Sequence, residues 1–393
     1  MKGLFFAILL TLILPCSSVC AETLDFPDTA VSAEERLPTA EDYYEEQFQK
    51  SGAGELSYSL PEETRESLGG LGVSSPDWQS IQNISAEGIF SQVASVFGEK
   101  GQAPLQAAFS VLAVMFLCAV INGMKLSFGD KPLGGAIGLV GVLCVCMAVI
   151  RPVVACISSA AQVVEGAAGF LLACVPVLTG ILIAGGQTVS AGTYNVLMIG
   201  AGNVISVFSA GLLVPLLNVF LAISIASSLS PGLNLSGICS WFAKAVQWGL
   251  GLCMTVFTSL LTVQSAVAAS ADSTASKAAK FLLSSFVPVV GGALGDAFTT
   301  VQGSVRLLKS GVGAFALLGT LFLFLPAVAE CLLWMLTLNL CGGIGMIFDL
   351  KEINSLLSAA AKAVGLTLAV VLCSMAVIMI STALMLVMGG GTS

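Results

Sequence analysis

Residues 278–305 read AAKFLLSSFVPVVGGALGDAFTTVQGSV. The stretch is apolar enough to enter a bilayer, yet it carries Pro288, four glycines and Asp296. Lipid cannot satisfy the free amides and carbonyls of a broken backbone, so such an insert must be buried in protein or face water. Lys277 and Lys280 precede it or open it, and Arg306 and Lys309 follow it. Bases at both ends favour the cytoplasmic face for both ends. The stretch is then a re-entrant or surface-lying hairpin; an ordinary span with a satisfied aspartate is the alternative. Gly291, Gly292 and Gly295 permit the turn and close helix contact.

Composition agrees with a membrane chain. Of 393 residues, 56% are hydrophobic and 10% are charged, where a soluble domain carries about 25% charged residues. Mean hydropathy is +0.97. There is no histidine, which removes the commonest general base and the usual zinc and haem ligands. Of the twelve cysteines, Cys16 and Cys20 lie in the leader and the other ten in apolar segments from Cys118 to Cys373. That placement reads as small apolar packing residues and not as a disulfide framework.

The net charge of −8 is unevenly spread. Residues 22–100 hold sixteen acids and four bases, whereas residues 101–393 hold ten bases and seven acids. An acidic exported segment on a weakly basic membrane body fits this split; nucleic-acid binding does not. Residues 1–21 read as a signal peptide: Lys2, an apolar run from Leu4 to Leu14, then small residues with Val19 and Ala21 before a cut at Glu22. An uncleaved anchor is the alternative. Residues 22–100 form a small acidic extracytoplasmic region. Its first part is expected to form short, mobile helices. Ile89, Phe90, Val93, Val96 and Phe97 share one helical face, either as an interfacial helix or as a solvated cap packed on the membrane part.

Residues 101–393 form a multi-pass, all-α membrane domain. A lipid-spanning helix needs about 20 apolar residues. Apolar stretches run over 103–121, 133–150, 169–186, 193–229, 246–269, 311–347 and 363–388, giving six to eight spans. Pro215 and Pro326 sit in the two longest, where each kinks one helix or separates two.

The opening stretch has an earlier relative. AAGFLLACVPVLTGILIAGG, residues 167–186, shares Ala-Ala-x-Phe-Leu-Leu, then Val-Pro-Val and glycines, with the stretch from Ala278. Pro176 and Pro288 lie 112 residues apart, Pro215 and Pro326 lie 111 apart, and AKAV recurs at Ala243 and Ala361. This pattern predicts an internal duplication, with units at about 161–270 and 272–388, each opening on a proline-broken segment. Duplicated units with broken helices are a plan used by pores and transporters.

Glu330, in FLPAVAECLLWML, is the leading ionisable candidate, because a charge at membrane depth is expensive. It is either functional or close to an interface at a helix end. The candidate functional or packing residues are therefore Pro176, Pro288, Gly291, Gly292, Asp296, Pro215, Pro326 and Glu330. No phosphate loop, paired catalytic carboxylates or activated nucleophile occurs in the sequence, so no enzymatic role, metal or cofactor is expected.

The block VQSAVAASADSTASKAAKFLLSSFVPVVGGALGDAFTTVQGSVRLLKSGVG, residues 263–313, resembles the stage III sporulation protein AE family of endospore-forming bacteria. Its distinctive pieces are Ala279-Lys280-Phe281, the run Phe286 to Leu294, Leu307-Leu308-Lys309 and Val312-Gly313. Gly295 and Val301–Arg306 depart from the family pattern. The resemblance covers about residues 85–393. It implies a mother-cell membrane component of a channel or specialised secretion complex that links mother cell and forespore. The implied partners are other stage III sporulation membrane proteins and, across the intermembrane space, stage II sporulation protein Q. A structural or gating subunit is the first reading. A secondary transporter built on the repeat is the second, and it needs polar groups converging near the midplane.

Overall fold

The protein is described here by a computed structural model covering residues 40–128, 133–206, 214–229, 236–286 and 291–387. The signal-peptide region, the loop after Phe128 and Pro288 lie outside the described residues. Among those described, the chain is helical throughout, without strands.

Short elements come first. Helix α1 is Ala40–Ser51, a 3-10 helix covers Ala53–Ser59, and α2 is Glu62–Gly70. Then come α3, Trp78–Gln82, and α4, Ala86–Lys100. Ser85 caps α4 by accepting the Gly88 amide at 3.0 Å, which satisfies one of the free amides at a helix start. Long helices follow: α5 (Gln102–Phe128), α6 (Leu133–Ala184), α7 (Thr188–Ser206), α8 (Val214–Leu229), α9 (Ser236–Phe286), α10 (Gly291–Ile347) and α11 (Lys351–Val387).

Helices α6, α10 and α11 form the centre. Antiparallel packing of α6 on α10 runs from Cys156 beside Cys331 and Ser159 beside Glu330, through Phe170 beside Gly319, to Gly185 beside Val305. Helices α10 and α11 are likewise antiparallel, with Gly313 against Leu386, Met335 against Gly365 and Gly342 against Asn354. The fully buried aromatics Phe170, Phe315, Phe322, Phe324 and Trp334 fill this contact. Each removes a large apolar surface from its surroundings.

Among the described residues, five stretches are long and apolar enough to cross a bilayer: Ala86–Ile121, Val140–Ala184, Ser240–Ala275, Val301–Ile347 and Lys351–Leu386. Helices α6 and α10 have 52 and 57 residues. At 1.5 Å per residue they are about 78 and 85 Å long, well over twice the ~30 Å hydrocarbon core.

Two expectations need correction. The stretch 167–186 is not proline-broken, because Pro176 and Pro152 both lie inside the continuous α6. Proline removes one backbone hydrogen bond and crowds the carbonyl four residues back; packing along α10 and α11 holds the helix together across it. The apolar stretches 133–150 and 169–186 are therefore two parts of one helix, with Arg151 and Glu165 exposed between them. The stretch 278–305 is interrupted at residues 287–290, around Pro288, which lie outside the described residues. Its first part ends α9 and its last part, from Gly291, opens α10.

The described part of the acidic N-terminal region, from Ala40, is packed rather than loose. Ala53, Leu56, Leu60, Leu68 and Val73 are at most 4% exposed and join the main core. Helices α1 to α4 pack along α10, and α1 and the 3-10 helix also touch α6. Helices α1 to α4 thus form a cap on α10, and α4 also opens the apolar stretch Ala86–Ile121. At Gly311 the approach is backbone to helix: a Cβ there would stand 3.1 Å from the Trp78 amide nitrogen and 3.2 Å from the Pro76 carbonyl oxygen.

Candidate functional site

Two polar constellations stand out against the apolar body. The first joins the cap to α6 and α10. Lys100, the last residue of α4, pairs with Glu63 of α2 at 3.0 Å. Both act on the charge of Glu330, which the Ser159 hydroxyl of α6 also approaches, at 3.5 Å from Oε2. Next to Glu330, Cys331 lies 3.7 Å sulfur to sulfur from Cys156, and both are buried. Glu330 is half-buried inside α10 and not at a helix end. Chemically this is a carboxylate met by a hydroxyl, with the Lys100–Glu63 ion pair near enough to act on its charge. It ties the cap to the long helices.

Farther out on the cap, Tyr44 donates to Asp77 Oδ1 at 3.1 Å and stacks on Phe48. Burial, then the Asp77 carboxylate, holds the Tyr44 phenol well above its ordinary range.

The second constellation is at the far end of α6. Helix α6 ends in a left-handed turn, with Gly186 at φ +75° and the Gln187 amide returning to the Leu182 carbonyl at 2.9 Å. This closes the helix and sends the chain back as α7. There Asp272 of α9, 5% exposed, accepts the Val189 amide on Oδ1 at 3.0 Å and the Ser190 amide on Oδ2 at 2.7 Å. Free amides and the positive end of the helix dipole suit a carboxylate at that place. Close by on α6 and α7, the Thr179, Ser190 and Tyr194 hydroxyls are buried without hydrogen-bond partners.

The candidate residues are scattered along the molecule. Pro326 lies one turn before Glu330 in α10, half-buried. Pro176 is exposed on α6, and Pro215 is exposed in the first turn of α8. Gly291, Gly292 and Asp296 lie in the first two turns of α10. Asp296 and Glu330 are on one unbroken helix, 34 residues apart, or about 50 Å along its axis. They cannot meet in one midplane site. Among the described residues, no group of three or more Cys, Asp or Glu is placed to hold a metal ion.

Sequence reading missed Asp272. It lies in SADST within the block singled out at residues 263–313, but nothing local marks it as the partner of a helix 80 residues earlier. Lys309, counted as a base flanking the hairpin, is 5% exposed in α10 and so is no surface marker.

A sequence profile of the family described as Stage III sporulation protein AE matches residues 78–389. The chain belongs to the stage III sporulation protein AE family. The resemblance read from residues 263–313 is thereby borne out. The family match takes in α3 to α11, with Lys100, Asp272 and Glu330, and leaves Glu63 outside. A Stage III sporulation protein AE of Bacillus subtilis (strain 168) is 27% identical over 157 residues, 40% of this chain and 39% of that protein. The alignment thus spans well under half of that relative. No solved structure matches the chain. The family description places the protein in sporulation and names no reaction.

Proposed function

We propose that this chain is a structural or gating subunit of a channel or specialised secretion complex that serves the forespore. In this reading it is embedded in the mother-cell membrane, with the acidic cap extracytoplasmic. The cap meets other stage III sporulation membrane proteins and, across the intermembrane space, stage II sporulation protein Q.

One observation carries the choice over a self-sufficient transporter. A transporter needs its polar groups to converge at one depth, and Asp296 and Glu330 are held about 50 Å apart on one rigid helix. The other features agree. Glu330 is engaged by Ser159 and lies beside Lys100. A cavity of about 180 Å³ at the α10–α11 turn is lined by Asn339, Asn354, Ser358 and glycines, with no ionisable group.

The test is a pair of near-isosteric variants, Glu330→Gln and Asp296→Asn, scored for spore yield with the protein's membrane level and co-purification of partners monitored. A subunit tolerates both, whereas loss of spores with intact assembly favours transport.

A further inference from the structure

Exposed cations gather at one level of the helical body. Arg151 of α6, Lys244 of α9 and Lys362 of α11 are all exposed. Among the described residues, none of the three is in an ion pair. Their heights follow from the packing. Arg151 stands five residues before Cys156, which lies beside Cys331. Lys362 stands three residues before Gly365, which lies beside Met335. Helix α9 runs parallel to α11, because Cys253 lies close to Cys373 while Asp272 reaches the start of α7, beyond the end of α6. Lys244, nine residues before Cys253, is therefore level with Val364 of α11. At 1.5 Å per residue, all three cations fall beside residues 336–338 of α10, within about 5 Å of one another along the axis.

Two further features mark the same level. Trp241 and Trp248 are 70% and 73% exposed. They stand three residues before and four residues after Lys244, on one helical face with it. The other two tryptophans, Trp78 and Trp334, are half-buried and buried. The cap also ends here, with Lys100 held by Glu63 and Gly101 beside Leu333. The acids at this level, Glu63, Glu99 and Glu330, lie on the cap and on α10. On α6, α9 and α11 the nearest acids are Glu165, Asp272 and Glu352, each at least ten residues from its helix's cation, or about 15 Å.

The long apolar stretches require a membrane boundary within their length. Val140–Ala184 and Val301–Ile347 have 45 and 47 residues, about 68 and 70 Å, against a hydrocarbon layer of ~30 Å. Acyl chains cannot cover all of either. A hydrocarbon layer centred on residues 336–338 would surround three unpaired cations, which is expensive. A headgroup layer at that height meets the cations with phosphates instead. It also puts both exposed indoles at the depth where tryptophan is favoured. This holds whichever half of the long helices lies among the acyl chains. We propose that Arg151, Lys244 and Lys362, with Trp241 and Trp248, form a site for the phosphate headgroups of anionic phospholipids and so set the depth of the protein in the bilayer.

This site goes beyond the subunit reading and does not rest on it. Full-length protein purified in a neutral detergent is titrated with phosphatidylglycerol or with phosphatidylcholine of the same chains, and bound lipid is counted by native mass spectrometry. Phosphatidylglycerol should bind at least tenfold more tightly, and excess inorganic phosphate should not displace it. Arg151→Gln, Lys244→Gln and Lys362→Gln together should abolish the preference. Lys50→Gln with Lys351→Gln, at exposed cations elsewhere, should keep it. In vesicles containing phosphatidylglycerol, a nitroxide on the lipid headgroup should quench the fluorescence that Trp241→Phe and Trp248→Phe remove. That quenching should be at least threefold stronger than from a nitroxide near the chain end. The depth measurement leaves the three cations in place, so it stands even where the triple variant does not fold. Equal affinity for the two lipids, a preference that survives the triple substitution, displacement by inorganic phosphate, or stronger quenching from the chain end would overturn the proposal.

Discussion

Asp272 accepts the backbone amide of Ser190 at 2.7 Å and so fixes the start of α7 to α9. The two residues are 82 apart in sequence. The same carboxylate takes the Val189 amide. Removing it leaves the buried Ser190 amide and the part-buried Val189 amide without an acceptor. Asp272→Ala should cost about 1–3 kcal/mol, read as a lower melting temperature of the detergent-solubilised protein. Asp272→Asn, which keeps one acceptor oxygen, should fall between. Equal melting of all three proteins would refute the latch.

The seat of the cap at Gly311 can be probed by one methyl group. Backbone atoms of Pro76 and Trp78 face the missing side chain, and backbone cannot rotate away. Gly311→Ala should cost about 1–3 kcal/mol through overpacking and speed proteolysis at Lys50 and Arg65. Gly303→Ala, with nothing within 4 Å, should be neutral or slightly stabilising, because alanine is the better helix former by about 1 kcal/mol.

Cys156 and Cys331 offer a check on the α6–α10 register. Their sulfurs are 3.7 Å apart across the buried contact. Mild oxidation of solubilised protein should join these two within one chain, each thiol giving up its proton and one electron to the oxidant. Peptide mapping under non-reducing conditions should find the 156–331 link. Finding Cys331 joined to another cysteine would show that the register is different.

The cap should loosen in alkali. Folding raises the Tyr44 phenol pKa, through burial and then Asp77. A raised acid contributes stability that is complete below its unfolded pKa, about 10, and is lost as pH climbs from there toward the folded value. Trp78 fluorescence and tryptic release of the cap should therefore change above about pH 10. Tyr44→Phe should weaken the cap slightly at neutral pH and flatten that alkaline dependence.

Much of the helical plan was legible residue by residue. The apolar runs and the charge split between residues 22–100 and the rest placed the chain among helical membrane proteins, and the block around Pro288 carried its family. Pro176 misled: it looked like a break because proline ends isolated helices, yet it sits inside a helix held by its neighbours, whereas Pro326 lies inside one helix, as one of its two readings allowed. Glu330 was visible as a costly charge, but its partner Ser159 comes from 171 residues away in the chain.

Sequence by itself determined that these segments leave water as helices, since periodicity and apolar length report burial one segment at a time. Only the tertiary structure decided what each apolar face meets. Leu60 looks like a residue of a loose acidic arm, yet it packs against Gly319, and Asp272 looks like a stray charge, yet it closes a helix end. Local pattern encodes how strongly a side chain avoids water. Which distant partner shelters it depends on how long rigid helices fit together in space.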